Sequence, residues 1–191
     1  MFNYLKYLVY ILEHKKNVFI ECCKRKMYIH AFMHDISKLT KPSEFIAYSN
    51  WFYGKYGITM KENNEEHIKC KEKFEKAFNY HHYHNKHHWE YWEGRDMPYK
   101  YRKQMLVDWF AMAKKFGGTP QEYYLTHYKD IRLTDKTRML LEFELDLNDS
   151  IICNYGHTME QFAKMYDEET YNIYFGWIKD RFRIDTYSIL K

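Results

Sequence analysis

Apolar residues recur at helical spacing along this chain, and three of those stripes are interrupted by a side chain that binds metals. Tyr7, Ile11, His14, Val18 and Cys22 follow at intervals of 4, 3, 4 and 4, which traces one face of an α-helix. Cys70, Phe74, Ala77, Phe78 and His81 trace a second face, and Tyr101, Met105, Asp108, Trp109 and Met112 a third. The period requires helices. The interruptions require partners, because a buried imidazole or carboxylate is costly unless it is paired, hydrogen-bonded or bound to an ion. The adjacent pair His34-Asp35 closes a further apolar run, and the block His81, His82, His84, His87 and His88 is dense in imidazoles. Imidazole and carboxylate together are the natural donors for zinc, iron, manganese and similar ions.

The helical pattern can be placed along most of the chain. With 7 Gly and 3 Pro in 191 residues, turn-makers are too scarce for a many-stranded β fold. A first helix is predicted from Phe2 to about Lys26, apolar on two sides through the second stripe Leu5, Leu8 and Leu12, and therefore central. A second covers Tyr28–Ile36 and carries His34-Asp35. Pro42 sits in the first turn of a third, which ends near Gly54 or Gly57. The segment from Lys61 through Lys76 to His81 forms a fourth, with His84 and His88 on the same face if it persists. Pro98 starts a fifth, stopped by Gly117-Gly118 after Phe116. Thr119-Pro120-Gln121-Glu122 has the form of a capping box opening the next. Further helices are expected over Thr134–Leu145 and Met159–Arg183, and the tail Ile184–Lys191 has weak strand character. We expect a single all-α domain over residues 1–191, with 146–191 as a helical extension.

Composition narrows the function. A net charge of +4 with 29% charged residues is mixed and lacks the one-sided basic patch of a nucleic-acid protein. Cys22, Cys23, Cys70 and Cys153 contain no C-x-x-C pair and read as reduced, mostly buried thiols of a cytoplasmic protein. Lys6, Glu13, His14, Lys15 and Lys16 interrupt the N-terminal apolar run, so neither a signal peptide nor a membrane span is expected.

His14, His34-Asp35 with Lys38, and Asp108 resemble the H…HD…D pattern of the HD superfamily of metal-dependent phosphohydrolases. The run His34-Asp35-Ile36-Ser37-Lys38 is similar to that superfamily's HD-x-x-K. More narrowly, that run with Pro42-Ser43-Glu44-Phe45, Asn85 to Trp92, Met97-Pro98 and Asp108-Trp109 resembles a small uncharacterised family within it, found in bacteria and phages. The resemblance covers residues 4–145.

It implies an HD-domain-like helical bundle around a central metal site that holds one or two divalent ions: manganese, iron, cobalt, nickel or zinc. His14, His34, Asp35 and Asp108 would ligate the first ion, with Asp35 able to bridge two. His81, His87 and His88 would serve a second. On a regular helix His87 and His88 cannot share a face, so one of them stands back or the helix breaks. His30 is the rival of His14. His82 is a weaker candidate, and His84 stands where that family carries arginine.

The implied activity is hydrolysis of a small phosphoester, a nucleotide above all, by metal-activated water. Asp35 and Lys38 are the candidate catalytic residues, with Lys38 donating to a phosphate oxygen or to developing charge. Glu44 could touch substrate or support a ligand, but reads more simply as a first-turn carboxylate favouring its helix; Arg102 and Lys103 could bind phosphate, but read more simply as solvated surface. The alternative is a non-catalytic metal-containing module that binds a nucleotide or nucleic acid, with Trp89, Tyr91 and Trp92 able to stack on bases.

Overall fold

The computed structural model describes residues 2–61 and 64–147. All regular structure among them is helical: α1 Phe2–Lys24, α2 Tyr28–Met33, α3 Ser37–Thr40, α4 Pro42–Tyr53, α5 Glu65–His84, a 3-10 turn Trp89–Trp92, α6 Tyr99–Phe116, α7 Pro120–Thr126 and α8 Asp135–Glu144. The chain divides after Leu141 into two units, and the first holds every group discussed below. The expected helix Met159–Arg183, the tail Ile184–Lys191 and nearly all of the 146–191 extension lie outside the described residues.

α1 organises the first unit, packing against α6, α4 and α2, while α4 packs on α5. It buries Tyr7, Ile11, His14, Val18 and Cys22, the stripe read from the sequence, and adds Glu21. Val18 and Cys22 close one apolar cluster with Ala31, Val107 and Ala111. Tyr7, Ile11 and Tyr48 close another. The second stripe is not covered: Leu5 is 60% and Leu12 53% exposed. α1 is thus a core helix on one side only, because its neighbours all approach the His14 face.

The second predicted helix is broken. α2 ends at Met33, His34 caps it with extended ψ of 126°, and Asp35 adopts φ +50 before α3 begins at Ser37. Aspartate tolerates this left-handed geometry better than most residues. The break has a geometric reason: neighbours on a helix point about 100° apart, whereas here His34 and Asp35 reach one place. A second break follows α5, where Asn85 caps the helix and His87 and His88 fall in the turn beyond it. Elsewhere the expected signals act as read. Gly117 ends α6 with φ +84, and Thr119 and Glu122 form the capping box of α7. Cys22, Cys23 and Cys70 are free thiols, with Cys22 buried.

Candidate metal centre

The potential ligands are delivered by five different pieces of the fold. His14 comes from the buried face of α1, His34 and Asp35 from the break after α2, His81 from α5, His87 and His88 from the turn after it, and Asp108 from α6. They meet in one place. His14 Nε2 is 3.1 Å from His34 Nε2 and 3.2 Å from Asp108 Oδ1, and His34 Nε2 is 3.5 Å from that same oxygen. Asp35 spans the cluster: Oδ2 lies 3.6 Å from His34 Nε2, while Oδ1 lies 3.1 Å from His81 Nε2 and 3.2 Å from His87 Nε2. Two nitrogen or oxygen donors about 2.1 Å from one ion sit roughly 3.0–3.4 Å apart in octahedral or tetrahedral geometry; four of these spacings fall in that range, and the two from His34 Nε2 to the carboxylates, at 3.5 and 3.6 Å, lie just beyond it.

The orientation of the donors supports the same reading. Asp35 Oδ1, Asp108 Oδ1 and the Nε2 atoms of His81, His87 and His88 are buried and make no hydrogen bond. Buried polar atoms are ordinarily satisfied. Here several unsatisfied ones converge, close together but misaligned for bonding to one another. Four groups of donors lie close enough to share an ion: His14, His34 and Asp35; Asp35, His81, His87 and His88; His34, His87 and Asp108; and His82, His88 and Glu90. Each could hold a metal ion; the first two share Asp35, and Asp108 lies against both imidazoles of the first.

The electrostatics keep Asp35, Asp108 and His88 in their ligating forms. Burial raises the Asp35 carboxyl, but His34, Lys38 and His81 outweigh it and hold it well below the usual range. Burial likewise opposes the Asp108 charge, and His34 and His14 outweigh it. Burial and then the neighbouring His87, His82 and His81 hold His88 far below the ordinary histidine value, leaving it neutral, as metal ligation requires. His81 is raised: burial lowers it, but Asp35 and Glu44 prevail.

Lys38 Nζ sits 2.5 Å from Asp35 Oδ2. Burial works against its charge, but Asp35 more than compensates and holds the ammonium above the ordinary lysine value. A cavity of about 540 Å³ opens beside the cluster, lined there by His14, Lys38, His88 and Asp108 and walled farther out by Trp109 and Tyr123. A larger groove of about 750 Å³ between α4 and α5 shares only Glu44 with this region.

Glu44, Arg102 and Lys103 depart from the simpler reading of the sequence. Glu44 is buried, and its Oε1 lies 2.9 Å from His81 Nδ1. It therefore steers the ring, a role that carboxylates often play behind a metal-bound histidine. Nothing in the sequence separates it from an ordinary first-turn acid. Arg102 is 2% exposed rather than solvated, and donates to the Met97 carbonyl at 2.6 Å. Lys103 reaches the Arg25 carbonyl at 3.4 Å. His30 packs edge-on against His34 and His87. Burial and then His34 and His87 push it down to about 3, and it joins none of the four donor groups. His82 pairs with Glu90 at 2.6 Å and stacks between Phe78 and His88. His84 is exposed and points back to the Tyr80 carbonyl at 2.8 Å.

A model of a family of unknown function, DUF5662, matches residues 3–147. The chain belongs to that family. The DUF5662 match spans every residue of the cluster, from His14 to Asp108. No curated protein and no solved structure matches the chain. No helix among the described residues is long and apolar enough to cross a membrane.

Proposed function

We propose that this protein is a metal-dependent phosphohydrolase with an HD-domain-like site, acting on a small phosphoester, with a nucleotide as the leading substrate class. The observation that carries the reading is the convergence of unsatisfied buried imidazole and carboxylate atoms on Asp35, beside a cavity that Lys38 also lines. His14, His34, Asp35 and Asp108 would hold one divalent ion, and Asp35, His81, His87 and His88 a second. The mixed nitrogen and oxygen donors suit manganese, iron, cobalt, nickel or zinc. Such a pair, when bound, supplies activated water at neutral pH and positive charge against a phosphoryl group.

The protein's own groups divide the remaining work. Asp35 ties the two ligand sets together through its two oxygens. Lys38 spends one N–H on Asp35 Oδ2, which leaves two for oxygens that gain negative charge in the transition state. Glu44 fixes the tilt and tautomer of His81. The aromatic walls of the cavity accommodate an organic group and shed water around it.

The test is elemental analysis of protein purified without a metal-affinity column, followed by a phosphoester panel with each of the five metals. Bound metal with turnover of a nucleotide supports the reading. Metal without turnover of any phosphoester rejects the enzyme and leaves a metal-containing nucleotide-binding module in its place.

A further inference from the structure

Two core phenols do nothing with their hydroxyls. Tyr7 on α1 is 1% exposed and Tyr48 on α4 is 5% exposed, and neither hydroxyl has a hydrogen-bond partner. A buried hydroxyl in that state lowers stability, and phenylalanine would fill the same space without the penalty. Both side chains line the cavity that opens onto Lys38, His14 and Asp108. Their rings stack with centroids 6.0 Å apart, and Lys38 Nζ lies 5.6 Å from the Tyr48 ring centre. Burial pushes both phenols above their usual value, so they stay protonated and can donate.

We propose that Tyr7, Tyr48 and Lys38 form a cradle for one tetrahedral oxyanion, the phosphoryl group of a monoester or the phosphate it releases. The proposal rests on the phosphohydrolase reading and names the groups that grip the non-reacting oxygens. Two neutral O–H donors and one ammonium match a single phosphoryl group. Lys38 is the one lysine or arginine among the described residues lining this cavity, so a polyphosphate chain would find no further cations along it. The lysines that could meet such a chain, Lys41, Lys55, Lys69, Lys73 and Lys76, line the separate groove between α4 and α5.

Tyr7→Phe, Tyr48→Phe and the double variant test this, because each keeps the ring and deletes only the hydroxyl. Binding of inorganic phosphate and of inorganic tripolyphosphate to metal-loaded protein is measured by calorimetry, alongside metal content and melting temperature. Each single variant should weaken phosphate binding about tenfold and the double about a hundredfold, the loss expected for hydrogen bonds to a charged group. Metal content should stay at the wild-type value, and the melting temperature without phosphate should hold or rise. Phosphate binding in the double variant equal to wild type overturns the cradle, as does a fall in melting temperature, which marks the hydroxyls as structural. Tripolyphosphate binding far tighter than phosphate overturns the single-oxyanion assignment. Tyrosine-dependent phosphate binding without hydrolysis of any monoester leaves the cradle standing and rejects the hydrolase. Equal hydrolysis by wild type and double variant does the reverse.

Discussion

Replacing Glu21 by glutamine should destabilise the protein by about 2–3 kcal/mol at pH 7. Glu21 is 3% exposed on the buried side of α1. Its carboxylate meets Lys24 at 2.9 Å, Arg25 at 2.5 Å and Lys114 at 2.5 Å. Lys114 belongs to α6, so the tie joins the two helices that bring His14 and Asp108 within 3.2 Å. Burial alone would raise this carboxyl, but Lys114, Lys24 and Arg25 outweigh it and lower it from 4.5 to about 2. At about 1.4 kcal/mol per pKa unit that shift is worth roughly 3 kcal/mol. Lys24 is 58% exposed and contributes through solvent, so the value is trimmed. The sign follows from the direction. A carboxyl held low in the folded state contributes fully above about pH 4.5 and loses that contribution as pH falls toward about 2. Urea unfolding of wild type and Glu21→Gln at pH 7, 5 and 3, at constant ionic strength, should show the full gap at the first two and about half of it at pH 3. A gap below about 0.5 kcal/mol at pH 7, typical of a surface pair, or one that does not shrink at pH 3, refutes the argument.

Three further outcomes concern the cluster itself. Asp35→Ala should abolish metal retention at the two proposed sites, because each of them uses this residue; elemental analysis decides, and unchanged content sinks the assignment. Lys38→Ala should cut turnover by about a hundredfold, the loss of one transition-state donor, with metal content intact; loss of metal instead would make it a structural partner of Asp35. Glu44→Gln should weaken metal affinity by about 10–100-fold through a misdirected His81, read by competition with a chelator, and an unchanged affinity would show that His81 needs no such support.

The apolar face of α1 was legible because it depends only on spacing, and so was the capping box at Thr119 and Glu122. His14, His81 and Asp108 stood out because a polar group on an apolar stripe breaks a local rule. What could not be read is everything set by contacts far apart in the chain. No glycine or proline marks the break at His34-Asp35, and the apolar pattern runs straight through it. Glu44, Glu21 and Arg102 look like surface charges in sequence, and only the packing of α5, α6 and the segment at Met97 buries them. Tyr7 counted as one more apolar position, since a periodicity does not register a hydroxyl. Leu5 and Leu12 showed the converse error, an apolar stripe without a neighbour.

The spread of the ligands along the chain carries a consequence for biosynthesis. His14 leaves the ribosome well before Asp108, with the other donors emerging between them. While α6 is still inside the exit tunnel, the first ligand set lacks Asp108 and α1 lacks the helix that covers its His14 face. An ion held by the complete set is therefore captured after translation has passed α6, from whatever metal pool the cell offers at that moment. Metal identity would then reflect the cell's supply as well as the geometry of the site, and the same polypeptide expressed in media of different metal content should carry different ions.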